Sequence, residues 1–326
     1  MKAAFEEIAP HEKGFSKHFN EKIAPLLDQI EKDRKETWRV FRIRALNASI
    51  ALAIGLTAFI SVVRVNTFPE GYTLSDPAFI GVTSIFIMIL AILCYWLMIP
   101  LLQYRKGYKA KILPVICEFF GELSYKEKNG TIPKKILRSG VYPQHSKAES
   151  EDYIMGNYKN IKLEINELRL TRQSGRRRYN VFKGVSIIID FPKKFKGRTL
   201  VTKTKNRLSD KIRSQKDMEI IELEDPKFKS IFKVQSTDQT ESRYLLTTAL
   251  MERLIKLSES MNGVGSKTVS ALFEDKQLIL AVPRHTNLFE PNSAMQSAYN
   301  LNDIHTFLAQ MNEIFLLIDL LKLDRS

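Results

Sequence analysis

Two apolar runs, Leu46–Val63 and Phe79–Leu102, constrain this chain more than any other feature, because neither contains an acidic or basic residue. As helices they would extend about 27 Å and about 36 Å, against a hydrocarbon core of roughly 30 Å. A water-soluble core helix rarely runs that far without a charge. The pattern predicts a two-helix transmembrane hairpin, with spans 46–63 and 79–102 and a short external loop at 65–78. Some forty polar residues precede the first run, which sets it too deep for a cleavable signal peptide.

Flanking charge orients the hairpin. Arg42 and Arg44 precede the first run, and Arg105, Lys106, Lys109 and Lys111 follow the second, whereas Val65–Ala78 holds Glu70 and Asp76 but no Lys or Arg. Positive residues stay on the cytoplasmic side, so both termini are expected in the cytoplasm of a multi-pass inner-membrane protein. Arg64 is placed to snorkel to the headgroups. Tyr95, Trp96 and Tyr104 fall where an interfacial aromatic belt would place them, and Pro100 is expected to bend or end the second helix. The spans carry only mildly polar residues such as Asn47, Ser49, Thr57 and Thr83, which suit helix packing rather than an ion pathway.

Charge is unevenly spread. Residues 1–102 hold eleven Lys or Arg against ten Asp or Glu, a net of +1, so the formal +14 of the chain leaves +13 for residues 103–326. Most of it lies in Arg172–Arg213, with fourteen basic residues against Asp190 and Asp210. A field that focused attracts anions, and for a tethered domain the nearest anions are lipid headgroups. The two cysteines, Cys94 and Cys117, cannot build a disulfide framework, which fits a reducing compartment.

The rest of the chain reads as helix, then strands, then helix. Phe19, Ile23, Leu26, Leu27, Ile30 and Trp38 recur at helical spacing, so residues 1–45 form a cytoplasmic segment whose amphipathic helix leads into the first span. Residues 110–123 predict a second amphipathic helix, bent or broken near Pro114, and 129–147 an exposed connection. From Asp152 the period becomes two. Strands are expected around Tyr153–Met155, Ile161–Ile165, Val181–Phe191, Thr199–Thr204, Met218–Leu223 and Ile231–Val234. A helix at Leu245–Ser258 and a hairpin, Thr268–Phe273 with Gln277–Val282, follow, and a closing amphipathic helix spans Asn302–Leu323. The expected class is α+β: the transmembrane hairpin, then a cytoplasmic, mainly antiparallel β-sheet domain packed with helices at 103–326.

Several blocks resemble a bacterial membrane-anchored family catalogued as domain of unknown function 3137. They are Asn180-Val-Phe-Lys-Gly-Val185, Asp190-Phe191, Phe195-Lys-Gly-Arg-Thr199, Asp225-Pro-Lys-Phe228 and Lys233-Val-Gln-Ser-Thr-Asp238. Arg243-Tyr-Leu-Leu-Thr-Thr-Ala-Leu-Met-Glu-Arg-Leu254 and Leu288-Phe-Glu-Pro291 complete the set. The family often has proline where Thr248 stands. The resemblance implies a membrane-anchored bacterial protein and brings no activity, cofactor or catalytic residue.

No catalytic motif is visible. His11, His18, His145, His285 and His305 are scattered without the short spacing of a helix-borne metal site. Gly263-Val-Gly-Ser-Lys267 lacks the preceding strand of a phosphate loop. No cofactor is called for. The expected role is a noncatalytic binding or scaffold module that engages the bilayer's anionic headgroups or a protein partner. Its contacts would be Arg176, Arg177, Arg178, Lys193, Lys194, Lys196 and Arg198, with the two clusters placed at opposite ends of a sheet by successive strands. Without stacking platforms or a recognised module, nucleic acid is not an expected partner. The alternatives are an enzyme acting on a lipid or nucleotide, built on Asp190, His285, Glu290 and His305, and a subunit of a larger membrane complex.

Overall fold

The computed structural model describes residues 4–65, 77–127, 132, 134–191, 194–204, 217–260, 268–284, 287–290 and 294–320. The chain divides into two compact units, Met1–Glu6 with Ser16–Lys111 and Pro291–Asp303, and Glu7–Phe15 with Ile112–Glu290 and Ile304–Ser326.

The first unit is built on two long helices. A short α-helical turn, α1 (Phe15–His18), passes through a π-helical turn at Phe19–Ile23 into α2 (Ala24–Val65), and α3 covers Pro77–Phe119. The predicted amphipathic spacing is realised: Phe19, Ile23, Leu27 and Ile30 are buried, while Lys22, Asp28 and Lys32 face outward. Beyond Arg44 the pattern inverts, with Leu46, Ile54, Ile87 and Tyr95 more than half exposed. Both helices are long and apolar enough to cross a membrane, and the most apolar windows are 0% and 11% buried within the chain. A soluble core helix would be covered along such a stretch.

Proline does not end the second helix. α3 runs through Pro100, which is buried, and through Pro114, so the expected separate helix at 110–123 is a continuation of the same element. A proline removes one backbone donor and crowds one carbonyl, which a long helix tolerates when its other hydrogen bonds persist.

The second unit carries a nine-stranded sheet in the order β1-β2-β3-β4-β9-β8-β5-β7-β6, antiparallel at every pairing. Its strands are β1 (Glu122–Lys126), β2 (Lys147–Tyr158), β3 (Ile161–Ser174), β4 (Arg177–Asp190), β5 (Thr199–Lys203), β6 (Glu219–Ile221), β7 (Phe232–Ser236), β8 (Ser270–Glu274) and β9 (Gln277–Pro283). Helices α4 (Lys134–Leu137), α5 (Pro226–Ile231), α6 (Gln239–Leu245), α7 (Thr248–Ser260) and α8 (Asn302–Leu320) complete it. The mixed class, helices with an antiparallel sheet, is as predicted.

Turn chemistry sets the hairpins. Lys159 and Asn160 both take positive φ (49° and 63°) between β2 and β3, as a two-residue turn matched to strand twist requires. Asp275 (φ 53°) turns β8 into β9, at the predicted place. Val185–Ile189 is buried without a break, because both faces of β4 are covered. One face packs Leu168, Leu170, Phe182 and Ile188 with Ile136, Val141 and Tyr142. The described part of the 129–147 stretch, residues 132 and 134–147, is therefore not the exposed connection expected of it. Its few apolar residues all turn into the core, and its polar majority hides them in the sequence pattern. From Ile304 onward, α8 buries Phe307, Leu308, Met311, Phe315 and Ile318, and Phe315 contacts the rings of Phe120 and Tyr158.

Candidate functional site: a cationic hairpin tip and a polar interhelical cleft

The β3–β4 hairpin outruns its neighbours. Gly175 takes φ 59°, a conformation glycine adopts without strain, so Ser174 pairs with Arg177 across a two-residue turn. That register puts Arg176 in the turn and Arg177 and Arg178 on the first rungs of β4. Every residue from Arg172 to Asn180 is exposed, and Tyr179 is 50% exposed. Between Glu167 and Asp190 the sequence has six basic residues and no acidic one. Arg172, Arg176 and Arg177 have no ion-pair partner among the described residues. Arg178 and Arg169 act on Glu149 of the adjoining β2, whose carboxyl is held below the ordinary range chiefly by its hydrogen bond from Lys147.

The second cluster is different in kind. Lys193 lies outside the described residues. Lys194 and Lys196 are exposed, but Arg198 is half-buried between Asp217 (2.8 Å) and Glu274 (3.2 Å). The backbone here is fastened down. The Glu241 carboxylate accepts from the Lys196 and Gly197 amides, and Thr237 Oγ1 accepts from the Arg198 amide. Phe195 donates its amide to the Asp275 carbonyl and sets its ring on Phe273, which is 1% exposed. With the Phe191 ring tilted against it at 5.1 Å, the half-buried Phe195 is packed onto the core rather than set on a loop free to dip into lipid.

The two clusters sit at opposite ends of β4. Thirteen residue steps separate Arg177 from Asp190, roughly 43 Å of strand. They form no single patch. Glu241, which fastens the Lys196–Gly197 backbone, and Asp217, which pairs with Arg198, carried no sequence signal, being distant along the chain from the residues they hold.

The residues considered for acid–base chemistry hold structural partners. Asp190 accepts from Gln277 (3.2 Å), with Lys162 at 3.8 Å; Glu290 accepts from Asn287 (3.1 Å). His305 Nδ1 lies 2.6 Å from Glu12, a carboxylate 1% exposed that also accepts the Ile8 and Ala9 amides. His285 lies outside the described residues. Among the described residues no three His, Cys, Asp or Glu side chains cluster to hold a metal. Cys117 is buried, and burial pushes its thiol up to about 12, which leaves it inert.

A polar cleft in the first unit was not anticipated. It lies between α2 and α3 just beyond the apolar stretch, with a volume of about 290 Å³. Asp33, Glu36 and Arg44 line it from α2, and Tyr104, Tyr108 and Lys111 from α3. Lys111 and Asp33 pair across it at 2.6 Å. Arg44 donates to the Trp96 carbonyl (2.8 Å) and stacks on that indole at 4.8 Å. Nothing in the sequence marks the cleft, since it depends on which turns of two long helices face each other.

An antiparallel-sheet domain carrying an exposed cationic hairpin, in a chain with two membrane-length apolar helices, is the class these features define. Residues 180–323 match the family model described as Protein of unknown function (DUF3137), the family that the blocks from Asn180 to Pro291 resemble. The two apolar helices lie outside the matched residues. No curated protein matches the chain. Among solved structures, that of the mycobacterial trehalose monomycolate transport factor A, TtfA, aligns at 9% identity with a TM-score of 0.34, over 62% of this chain and 91% of that one. A likeness this loose transfers no function.

Proposed function

We propose that this chain is a noncatalytic binding module anchored in a bacterial inner membrane by its two apolar helices, with both termini in the cytoplasm. The β3–β4 hairpin tip is its contact with anionic headgroups. One observation carries the reading: Arg172, Arg176 and Arg177 stand on an exposed tip with no neutralising partner among the described residues, whereas Arg198 of the second cluster is already paired. Within a Debye length of an anionic surface, each such arginine contributes roughly 1 kcal/mol. The weight therefore falls on Arg176, Arg177 and Arg178, with Lys194 and Lys196 as lesser contributors.

The tip is its own reporter, because trypsin cleaves after exposed arginine. The full chain is placed in nanodiscs of phosphatidylcholine alone or with phosphatidylglycerol, and cleavage at Arg176–Arg178 is timed across a salt series. Salt-sensitive protection by phosphatidylglycerol supports headgroup contact. Equal cleavage in both discs overturns it and turns attention to a protein partner.

A further inference from the structure

The interhelical cleft offers chemistry of both signs at one membrane level. Asp33 and Lys111 satisfy each other, which leaves Glu36 as an exposed carboxylate without a partner among the described residues. Arg44 sits eight residues further along α2, about 12 Å of helix rise toward the apolar stretch, with one guanidinium nitrogen on the Trp96 carbonyl and its remaining donors unassigned. Tyr108 also lines the cleft. It is 4% exposed, and its hydroxyl has no hydrogen-bond partner among the described residues. Burial pushes this phenol's pKa up, so it remains a donor at neutral pH.

The level of the cleft matters as much as its charge. Arg44 marks the end of the apolar stretch, where an interfacial arginine and tryptophan belong. From there the cleft continues away from the apolar stretch toward Lys111, through the depth that lipid headgroups occupy. Ile43, Leu46 and Leu102, within two residues of lining residues of the cleft, are 51%, 62% and 43% exposed and give acyl chains an apolar flank.

We infer that the cleft between α2 and α3 binds the zwitterionic headgroup of an aminophospholipid, with Arg44 donating to the phosphate and Glu36 accepting from the primary ammonium. An anionic lipid would place its excess charge near Glu36 without a cation to match, and a quaternary ammonium has no N–H to donate. The cleft is about 290 Å³, at the low end of ligand-pocket size, and suits a headgroup rather than a whole lipid.

The inference rests on reading the apolar helices as membrane spans, which alkaline extraction of membranes tests separately: a chain released by carbonate overturns the anchoring. For the cleft itself, the full chain with Arg176, Arg177 and Arg178 each replaced by Gln, so that the hairpin tip holds no anionic lipid, is titrated in detergent micelles with phosphatidylethanolamine, phosphatidylcholine or phosphatidylglycerol of identical acyl chains. Bound lipid is counted by native mass spectrometry. One phosphatidylethanolamine per chain is expected, in preference to the other two. Glu36→Gln and Arg44→Gln should each weaken it about tenfold, the scale of a lost charge-assisted hydrogen bond, and Tyr108→Phe, whose hydroxyl is sealed from the cleft, should leave it unchanged. Glu36 is exposed, so its variant folds, and the melting temperature in micelles verifies this for all three. Equal retention of phosphatidylglycerol, or phosphatidylethanolamine binding untouched by E36Q and R44Q, overturns the inference. Displacement by equimolar glycerophosphoethanolamine overturns the lipid as occupant in favour of a free headgroup.

Discussion

Replacing Glu31 by glutamine should release the segment that packs on it. Glu31 is 6% exposed and takes two hydrogen bonds from the Arg34 guanidinium (2.7 and 2.8 Å), the Ala298 amide (2.9 Å) and the Ser297 hydroxyl (3.3 Å). Arg34 in turn donates to the Ala294 carbonyl. Hydrogen bonds from Arg34 first, then the Ala298 amide, outweigh burial and hold the carboxyl at about 2, against an ordinary 4.5. At about 1.4 kcal/mol per tenfold change in acidity, the charged form contributes about 3 kcal/mol. That agrees with the roughly 3–5 kcal/mol expected when one partner of a buried ion pair is removed. Because the folded pKa is depressed, the contribution is complete above pH 4.5 and is lost as pH falls toward 2. Hydrogen exchange of the Ala298 amide in micelle-embedded full chain reads this directly. Glu31→Gln should speed that exchange about a hundredfold at pH 7 and abolish its acid dependence. Unchanged protection at Ala298 would show that packing of Ala294 and Ala298, not the carboxylate, holds the segment.

Two further outcomes follow from buried polar pairs. Burial raises the Glu12 carboxyl, but its His305 hydrogen bond and the Ile8 and Ala9 amides outweigh that and lower it net. Its contribution should therefore fade as pH drops below 4.5, and Glu12→Gln should cost about 1–3 kcal/mol at neutral pH in a thermal melt while flattening that acid dependence. The Tyr142 hydroxyl donates to Ser186 in the core, both fully buried. Tyr142→Phe and Ser186→Ala should each cost about 1–3 kcal/mol, and the double variant little more than either, in a double-mutant cycle by denaturant titration.

Legibility in the sequence tracked periodicity. β3 and β4 alternate or run apolar long enough to stand out, and the Asp275–Lys276 turn announces itself between two apolar strands. β1 did not. Glu122–Lys126 has one buried residue in five and follows a helix, and only Gly121 at φ 124° marks the change of direction. The start of α7 was blurred because Thr248 replaces the proline often found there; the neighbouring Thr247 accepts from the Leu250 amide and supplies the cap. Pro100 and Pro114 misled in the other direction, since a proline signals a stop only where the helix has no other support.

The candidate sites were legible in proportion to how local their causes are. Arg176–Arg178 could be placed in a loop because they lie between two strand patterns, and the two-residue turn beside them makes them exposed. Lys194, Lys196 and Arg198 look equally basic in sequence, yet Glu241, Asp217 and Glu274 convert their turn into a fastened corner, and no run of charge reveals partners that lie outside it along the chain. The cleft is harder still. Glu36, Arg44 and Tyr108 are unremarkable alone, and only the register of α2 against α3, fixed by the Arg44–Trp96 and Asp33–Lys111 contacts, brings them to one opening. Net charge therefore misdirects attention in a chain like this. It draws the eye to the richest basic run, in which Arg198 is already paired, while the cleft is close to neutral and recognises through opposite charges held apart.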